Sequence, residues 1–318
     1  MLALFKKIIP QLFISIILDD TKSVLRACIY RGDKLIKSNE KSFQKDDDLL
    51  KYTKDLSKNF PFYYTCLLLN AKEQGLIPSA NVNDFEKFNV GKMSLQHIKL
   101  SNALVYSATE HIEYYTELFE NFKGLDFLYS PFALLYYLSQ KNTDDKISLY
   151  ALKYKQILAI IVCKKSEILY GDLKIFEDEL GIELSKNDEF NLDLNLEELE
   201  AKLDNPELEN TQASAVEVPT DNDLQDNKEN LENELNIDEL NQFSNDLDSC
   251  RYIVSSIEKF YNDEKYSGTF INEISLFTQD ELNANAVEFL ENETFLDVKN
   301  KQINILELMI ELSRKELE

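Results

Sequence analysis

The chain has 318 residues, 44% hydrophobic and 11% aromatic, with a formal net charge of -24. That is enough apolar material for a sizeable core in two lobes or two small domains. The charge excludes a nucleic-acid backbone as a direct partner, because phosphate contacts need clustered Lys and Arg.

Cys28, Cys66, Cys163 and Cys250 stand far apart without CxxC spacing and read as reduced core residues. His97 and His111 have no second ligand at i+4 and no nearby Cys, so no zinc site is expected. The longest apolar run, Ile8 to Leu18, contains Pro10 and Gln11 and is about half of the ~20 residues a bilayer-spanning helix needs. Asp19 and Asp20 follow it in place of a small-residue cleavage site, so a cytoplasmic chain is expected.

In chain order, "FISIIL", "SVLRACIY" and "LIKSNEKSF" alternate as strands, separated by "DDTK" and "RGDK", and predict an antiparallel meander. Gly32 of the RGD triplet sits where a hairpin needs positive φ, so the turn explains the triplet better than adhesion does. A helix, "DDDLLKYTKDLSKNF", precedes "FYYTCLLLN", whose continuous apolar run fits a strand buried on both faces. Ala71 to Leu100 reads as irregular, and "ALVYSA" as a strand. "TEHIEYYTELFENFKG" predicts a helix with Ile112, Tyr115, Leu118, Phe119 and Phe122 on one stripe, stopped by Gly124. "LDFLY" is a strand, and "SPFALLYYLSQ" a helix capped by Ser130 with Pro131 at its first position.

A second meander, "KISLYAL", "QILAIIVCK", "SEILYGD" and "LKIF", repeats the first about 130 residues later and implies two related lobes. From Glu177 to Asp248 there are 24 acidic residues against three lysines, a composition expected of a solvated or disordered insert. Calcium binding, DNA mimicry or a tail for a basic surface are sharper readings of that run, but it lacks a D-x-D-x-D-G loop. The ordered pattern resumes with the helix "SCRYIVSSIEKFYND", the strand "NEISLF", the helix "DELNANAVEFLEN", the short strand "TFLDV" and the closing helix "NILELMIELSRKEL".

This order of elements resembles the actin-like fold. Four stretches resemble the PilM family of type IV pilus machines, and more distantly the cytoplasmic part of GspL of type II secretion. They are "MLALFKKIIPQLFISI", "EHIEYYTELFENFKGLDFLYSPFALLYYL", "KISLYALKYKQILAIIVCKKSEILYGDLKIF" and "SCRYIVSSIEKFYND". The resemblance implies an α/β, two-lobed actin-like (ribonuclease H-like) fold with a long acidic, partly disordered insert. Residues 1–141 would form the first lobe with an inserted subdomain, 142–176 plus 249–318 the second lobe, and 177–248 the acidic low-complexity insert.

Actin-like ATPases bind nucleotide between the lobes, with a D-x-G at each meander turn for magnesium and phosphate and a Gly-Gly at the adenosine. A Cβ at those glycines blocks the approach of backbone N–H to phosphate oxygens. On the first meander the D-x-G-x-x-x-x-K pattern falls on Ser15, Ile17 and Lys22, so only the lysine survives. Asp19 or Asp20 could stand in as the carboxylate, but "FISIILDDTK" contains no Gly and reads as a charged turn. The second meander places Ala151 and Lys153 at the corresponding positions, and the adenosine turn places Thr278 and Gln279. Gly32, Gly75, Gly91, Gly124, Gly171, Gly181 and Gly268, all seven glycines, lie outside these loops.

No catalytic, cofactor-binding or metal-ligating residue is therefore assigned, and ATP hydrolysis is not expected. No Ser-His-Asp, Cys-His, HExxH or Walker A pattern points to another enzyme. The resemblance implies instead a non-catalytic cytoplasmic scaffold of a type IV pilus, competence or type II secretion platform. Its partner would be the cytoplasmic tail of a PilN-like single-pass inner-membrane protein, held in a first-lobe groove near "FYYTCLLLN" and Ala71 to Leu100. The assembly ATPase is a further partner in that family. The aromatic "NFPFYYT" either lines the groove or belongs to the core. The alternative is a diverged actin-like ATPase that still binds ATP in the same machinery.

Overall fold

A computed structural model describes residues 8–19, 21–91, 93–120, 124–142, 144–176, 237–266 and 268–317. The opening meander consists of β1 (Gln11–Ile17), β2 (Ser23–Arg31) and β3 (Lys34–Phe43), followed by α1 (Asp46–Ser57) and β4 (Phe62–Leu68). β1 reads as an unbroken apolar run because it lies at the centre of a sheet and is buried on both faces. Leu12, Ile14 and Ile16 pack beneath α1, while Ile17 faces the other lobe. Gly32 takes φ 57° at the β2–β3 hairpin, as that turn requires.

After β4 come β5 (Gln74–Ile77), β6 (Leu95–Leu100), β7 (Ala103–Ala108), α2 (Thr109–Leu118), β8 (Phe127–Tyr129) and α3 (Pro131–Ser139). Ser130 caps α3, its hydroxyl accepting the Phe132 N–H, with Pro131 at the first turn as expected. The second meander is β9 (Ile147–Tyr154), β10 (Ile157–Lys164) and β11 (Glu167–Ile175). Then follow α4 (Ile237–Asn262), β12 (Glu273–Thr278), α5 (Ala284–Thr294), β13 (Asp297–Gln302) and α6 (Ile305–Glu316).

The two lobes repeat one topology. The first sheet runs β3-β2-β1-β4-β8 and the second β11-β10-β9-β12-β13. In each, the meander is antiparallel and the last two strands join it in parallel. Both lobes belong to one compact unit. The chain has the α/β, two-lobed actin-like fold, and its closing helices cross over: α3 packs on β9 and β10, α6 on β1, β2 and β4. Between the sheets this produces an apolar seam that includes Ile17, Leu68, Phe132, Leu135, Leu152, Tyr154, Ile161, Phe277 and Met309. At roughly 1.5–3 kcal/mol for each fully buried large side chain, the seam is a main source of cohesion between the lobes. On the outer faces α1 and α2 cover the first sheet, and α4 and α5 the second.

Four sequence expectations need correction. Ala71 to Leu100 is not irregular: it supplies β5 and β6, which flank β7 in a separate antiparallel sheet of order β5-β7-β6. β6 lacks an apolar alternation because its central residues are exposed, and β5 is short and contains Gly75. Helix α2 ends at Leu118 rather than near Gly124, with Phe119 as its cap, and Phe122 lies outside the described residues. "SEILYGD" and "LKIF" are one strand, β11. Helix α4 extends from Ile237 rather than Ser249, so Asp246 belongs to a helix that packs on the second sheet. The rest of the acidic run, residues 177–236, and the opening residues 1–7 lie outside the described residues.

Candidate functional site

The actin-like architecture brings the turns after β1 and β9 face to face, Lys155 reaching Asp19, but of the residues expected at a nucleotide site only Lys22 lies in such a turn: Ser15 and Ile17 are inside β1, and Ala151 and Lys153 inside β9. Ser15 is inside β1, fully buried, and donates its hydroxyl to the Arg26 carbonyl at 3.4 Å. Ile17 is 1% exposed and part of the apolar seam. Lys22 is exposed in the turn. Asp19 accepts the Thr21 N–H at 3.0 Å and the Thr21 hydroxyl at 2.9 Å on one oxygen, an Asx-type turn. Its other oxygen accepts Lys155 Nζ at 2.6 Å, from the β9–β10 turn of the opposite lobe. Burial alone would raise the Asp19 carboxyl, but the hydrogen bonds from Lys155 and Thr21 hold it below its ordinary value. Asp20 lies outside the described residues.

In the second lobe Ala151 is fully buried on the outer face beneath α4 and α5. Lys153, 9% exposed, forms an ion pair with Asp246 of α4, itself 3% exposed. The second Asp246 oxygen accepts the N–H of Asn283, the α5 N-cap, at 2.9 Å. Lys155 holds the β9–β10 turn at φ 49° without a glycine. At the adenosine position Thr278 is buried and its carbonyl accepts the Ile303 N–H at 2.7 Å, while the Gln279 carbonyl accepts the Gln302 side-chain amide at 2.9 Å. Tyr154 is buried in the seam, with Asp19 and Asp280 close enough to push its phenol further up than burial alone does. Burial likewise pushes Cys66 and Cys163 up to about 12, the behaviour of inert core thiols, and Cys28 and Cys250 are also free and buried.

A second feature lies on the first lobe. A cavity of about 220 Å³ opens between the β5-β7-β6 sheet and the end of β4, lined by Leu69, Gln96, Ile98, Val105, Ser107 and Ile112 among others. Leu69 belongs to "FYYTCLLLN", and Gln96 and Ile98 lie in Ala71 to Leu100, the two stretches expected to border a groove. The wall is braced by Gln74, whose side-chain amide donates to the carbonyls of Leu69 and Ala71 and accepts from Ser130. β6 is an edge strand, with Ile98 56% exposed. Ser107 lines the cavity, and its buried hydroxyl has no hydrogen-bond partner among the described residues. Sequence reasoning missed β6 and Ser107. The only local signal was that "ALVYSA" needed neighbours to pair with.

The aromatic stretch "NFPFYYT" does not line this cavity: it is mostly half-buried, with Phe60 and Tyr63 packed against the core beneath α1. Tyr64 stacks on Phe13 with centroids 5.1 Å apart, against Ile310 of α6. Among the described residues no cluster of three His, Cys, Asp or Glu could hold a metal ion, and no helix is long and apolar enough to cross a membrane. His111 Nε2 lies 2.5 Å from Glu73 Oε2, and that hydrogen bond lowers the Glu73 carboxyl.

Residues 9–136 match the family described as domain of unknown function DUF8569, and residues 149–318 the family described as domain of unknown function DUF8341. No curated protein matches the sequence. Among solved structures, the PilM–PilN type IV pilus biogenesis complex is similar at 13% identity, covering 93% of this chain and 89% of that chain with a TM-score of 0.53. A Bacteroides thetaiotaomicron protein of actin-like ATPase fold and unknown function is 12% identical over 95% of this chain and 96% of that chain, TM-score 0.47. The cytoplasmic domain of EpsL, an inner-membrane component of the Vibrio cholerae type II secretion system, is 7% identical over 96% and 95%, TM-score 0.42. At such identities the likeness is one of fold.

Proposed function

The chain belongs to the DUF8341 family, and we propose that it is a non-catalytic cytoplasmic scaffold in a type IV pilus, competence or type II secretion-like assembly platform at the inner membrane. Its partner in this reading is the cytoplasmic tail of a PilN-like single-pass membrane protein. The observation that carries it is the open edge of β6 beside an apolar cavity. An extended segment can pair with the strand and seat a side chain beside Leu69 and Val105. The state of the interlobe turns supports the non-catalytic part: Ile17 and Tyr154 belong to the apolar seam, Lys153 is spent on Asp246, and Lys155 on Asp19. The competing reading, a diverged actin-like ATPase that still binds ATP, has in its favour only that the two meander turns still face each other.

The test is co-expression with a single-pass membrane protein of the PilN kind, sought among the genes beside this one, followed by co-purification. Capture by the wild type and its loss in Ile98→Glu, with an unchanged thermal melt, is the expected result. Equal capture by Ile98→Glu, or a wild-type chain that stays alone, would refute the groove.

A further inference from the structure

A separate cleft lies on the second lobe and shares no lining residue with the groove or with the turns after β1 and β9. On the inner face of the second sheet, Tyr150, Ser275 and Lys299 stand abreast on β9, β12 and β13, followed by Leu152, Phe277 and Lys301 in the next row. Helix α3 covers β9 and β10 of this face. Beside its C-terminal end, over β12 and β13, a cleft of about 580 Å³ remains, within the roughly 300–1,000 Å³ range of small-molecule sites.

The side chains of this cleft are unequal in what they have left to offer. Glu273, its only carboxylate, accepts Lys299 Nζ at 2.6 Å on one oxygen and Asn142 at 3.3 Å on the other. Lys141 is bound to Glu311 at 3.0 Å. Lys301 has no ion-pair partner among the described residues. Ser275 is 4% exposed, lines the cleft, and its hydroxyl has no hydrogen-bond partner among the described residues. Lys301 is the diagonal neighbour of Ser275 across the β12–β13 pair, a separation that a long side chain spans. Leu138, Phe277 and Ile303 supply an apolar wall. Lys299 is held by Glu273 and Lys141 by Glu311, which leaves Lys301 as the cleft lysine with no carboxylate on it among the described residues.

We propose that this cleft binds a small organic anion, with its carboxylate or phosphate head on Lys301 and the Ser275 hydroxyl and its apolar body against Leu138, Phe277 and Ile303. Neither the membrane-protein partner nor the interlobe turns are involved, so the site stands or falls independently of the scaffold reading.

The full-length chain should be titrated by calorimetry with phenyl phosphate, benzoate and the neutral analogue benzyl alcohol, and the titrations repeated on Lys301→Glu and Ser275→Ala. At least one anion should bind at millimolar concentration or tighter and benzyl alcohol should not. Loss of a charge-assisted hydrogen bond in Lys301→Glu should weaken binding about tenfold or more. Ser275→Ala should weaken it by a smaller factor, and both variants should keep the wild-type melt. Lys301 is exposed, so its substitution tests the site without endangering the fold. Phosphate-only or carboxylate-only binding would identify the head group. The proposal is overturned by the absence of binding of both anions, by equal binding of benzyl alcohol, or by unchanged affinity in Lys301→Glu.

Discussion

Asp246 offers a sharp test of the second lobe, because composition puts it in an acidic insert and the structure puts it in the core. Its carboxylate is 3% exposed, pairs with the buried Lys153 ammonium and accepts the Asn283 N–H at 2.9 Å. In Asp246→Leu the ammonium is left buried without a counter-charge, which costs about 3–5 kcal/mol. An orphaned Asn283 N–H costs about 1–3 kcal/mol by itself, and the two losses overlap because they share one carboxylate. Adding Lys153→Met removes the stranded charge, so the double variant should lose only the Asn283 share, about 1–3 kcal/mol. Urea unfolding followed by circular dichroism gives these differences from midpoints at constant slope. A surface residue of a solvated insert would change stability by less than about 0.5 kcal/mol. A loss under about 1 kcal/mol for Asp246→Leu, or a double variant no more stable than the single, would refute the buried pair.

Three further outcomes follow from the same geometry. Phe295 is 93% exposed and left-handed at φ 54° where it ends α5, so Phe295→Gly should stabilise the chain by about 0.5–1 kcal/mol, seen as a raised melting temperature. Asn102 mimics a neighbouring strand, its side chain donating to the Ile168 carbonyl at 2.9 Å and accepting its N–H at 2.8 Å. Asn102→Ala should cost about 1–3 kcal/mol and speed hydrogen exchange at Ile168; unchanged exchange there would count against it. Among the carboxyls held below their ordinary values are Glu273, chiefly by the Lys299 hydrogen bond, and Asp19, by Lys155 and Thr21 against its burial. A depressed folded pKa stabilises at pH above the unfolded value, and that stabilisation fades as pH falls through the folded one. Stability should therefore drop on acidification below the ordinary values of 4.5 and 3.8, and Lys299→Met should blunt the drop.

The repeated meander was legible because β1, β2, β9 and β10 carry dense apolar or alternating patterns between short turns, and duplication doubled the signal. Helix α3 was legible from its Ser-Pro start. What escaped were elements whose burial depends on distant partners. β6 exposes its central residues, so no alternation marks it, and it is a strand only because β7 pairs with it. The α4 segment around Asp246 looks like solvated acid until Lys153, 93 positions earlier, neutralises it. At the nucleotide positions, Ser15, Ile17, Ala151 and Lys153 could be placed by motif alone. That Lys155 crosses to Asp19 could not, because a turn lysine carries no sign of its partner. Ser275 was equally silent, as its missing hydrogen bond is a property of the assembled sheet.

The decisive measurement on the interlobe turns is calorimetric unfolding of the full-length chain with and without Mg-ATP. With Ile17 and Tyr154 in the seam and Lys153 and Lys155 engaged by carboxylates, the melting temperature should be unchanged at millimolar nucleotide. A concentration-dependent rise, reaching about 2.7 kcal/mol of stabilisation at a hundred times the dissociation constant, would contradict the non-catalytic scaffold and restore the ATPase reading.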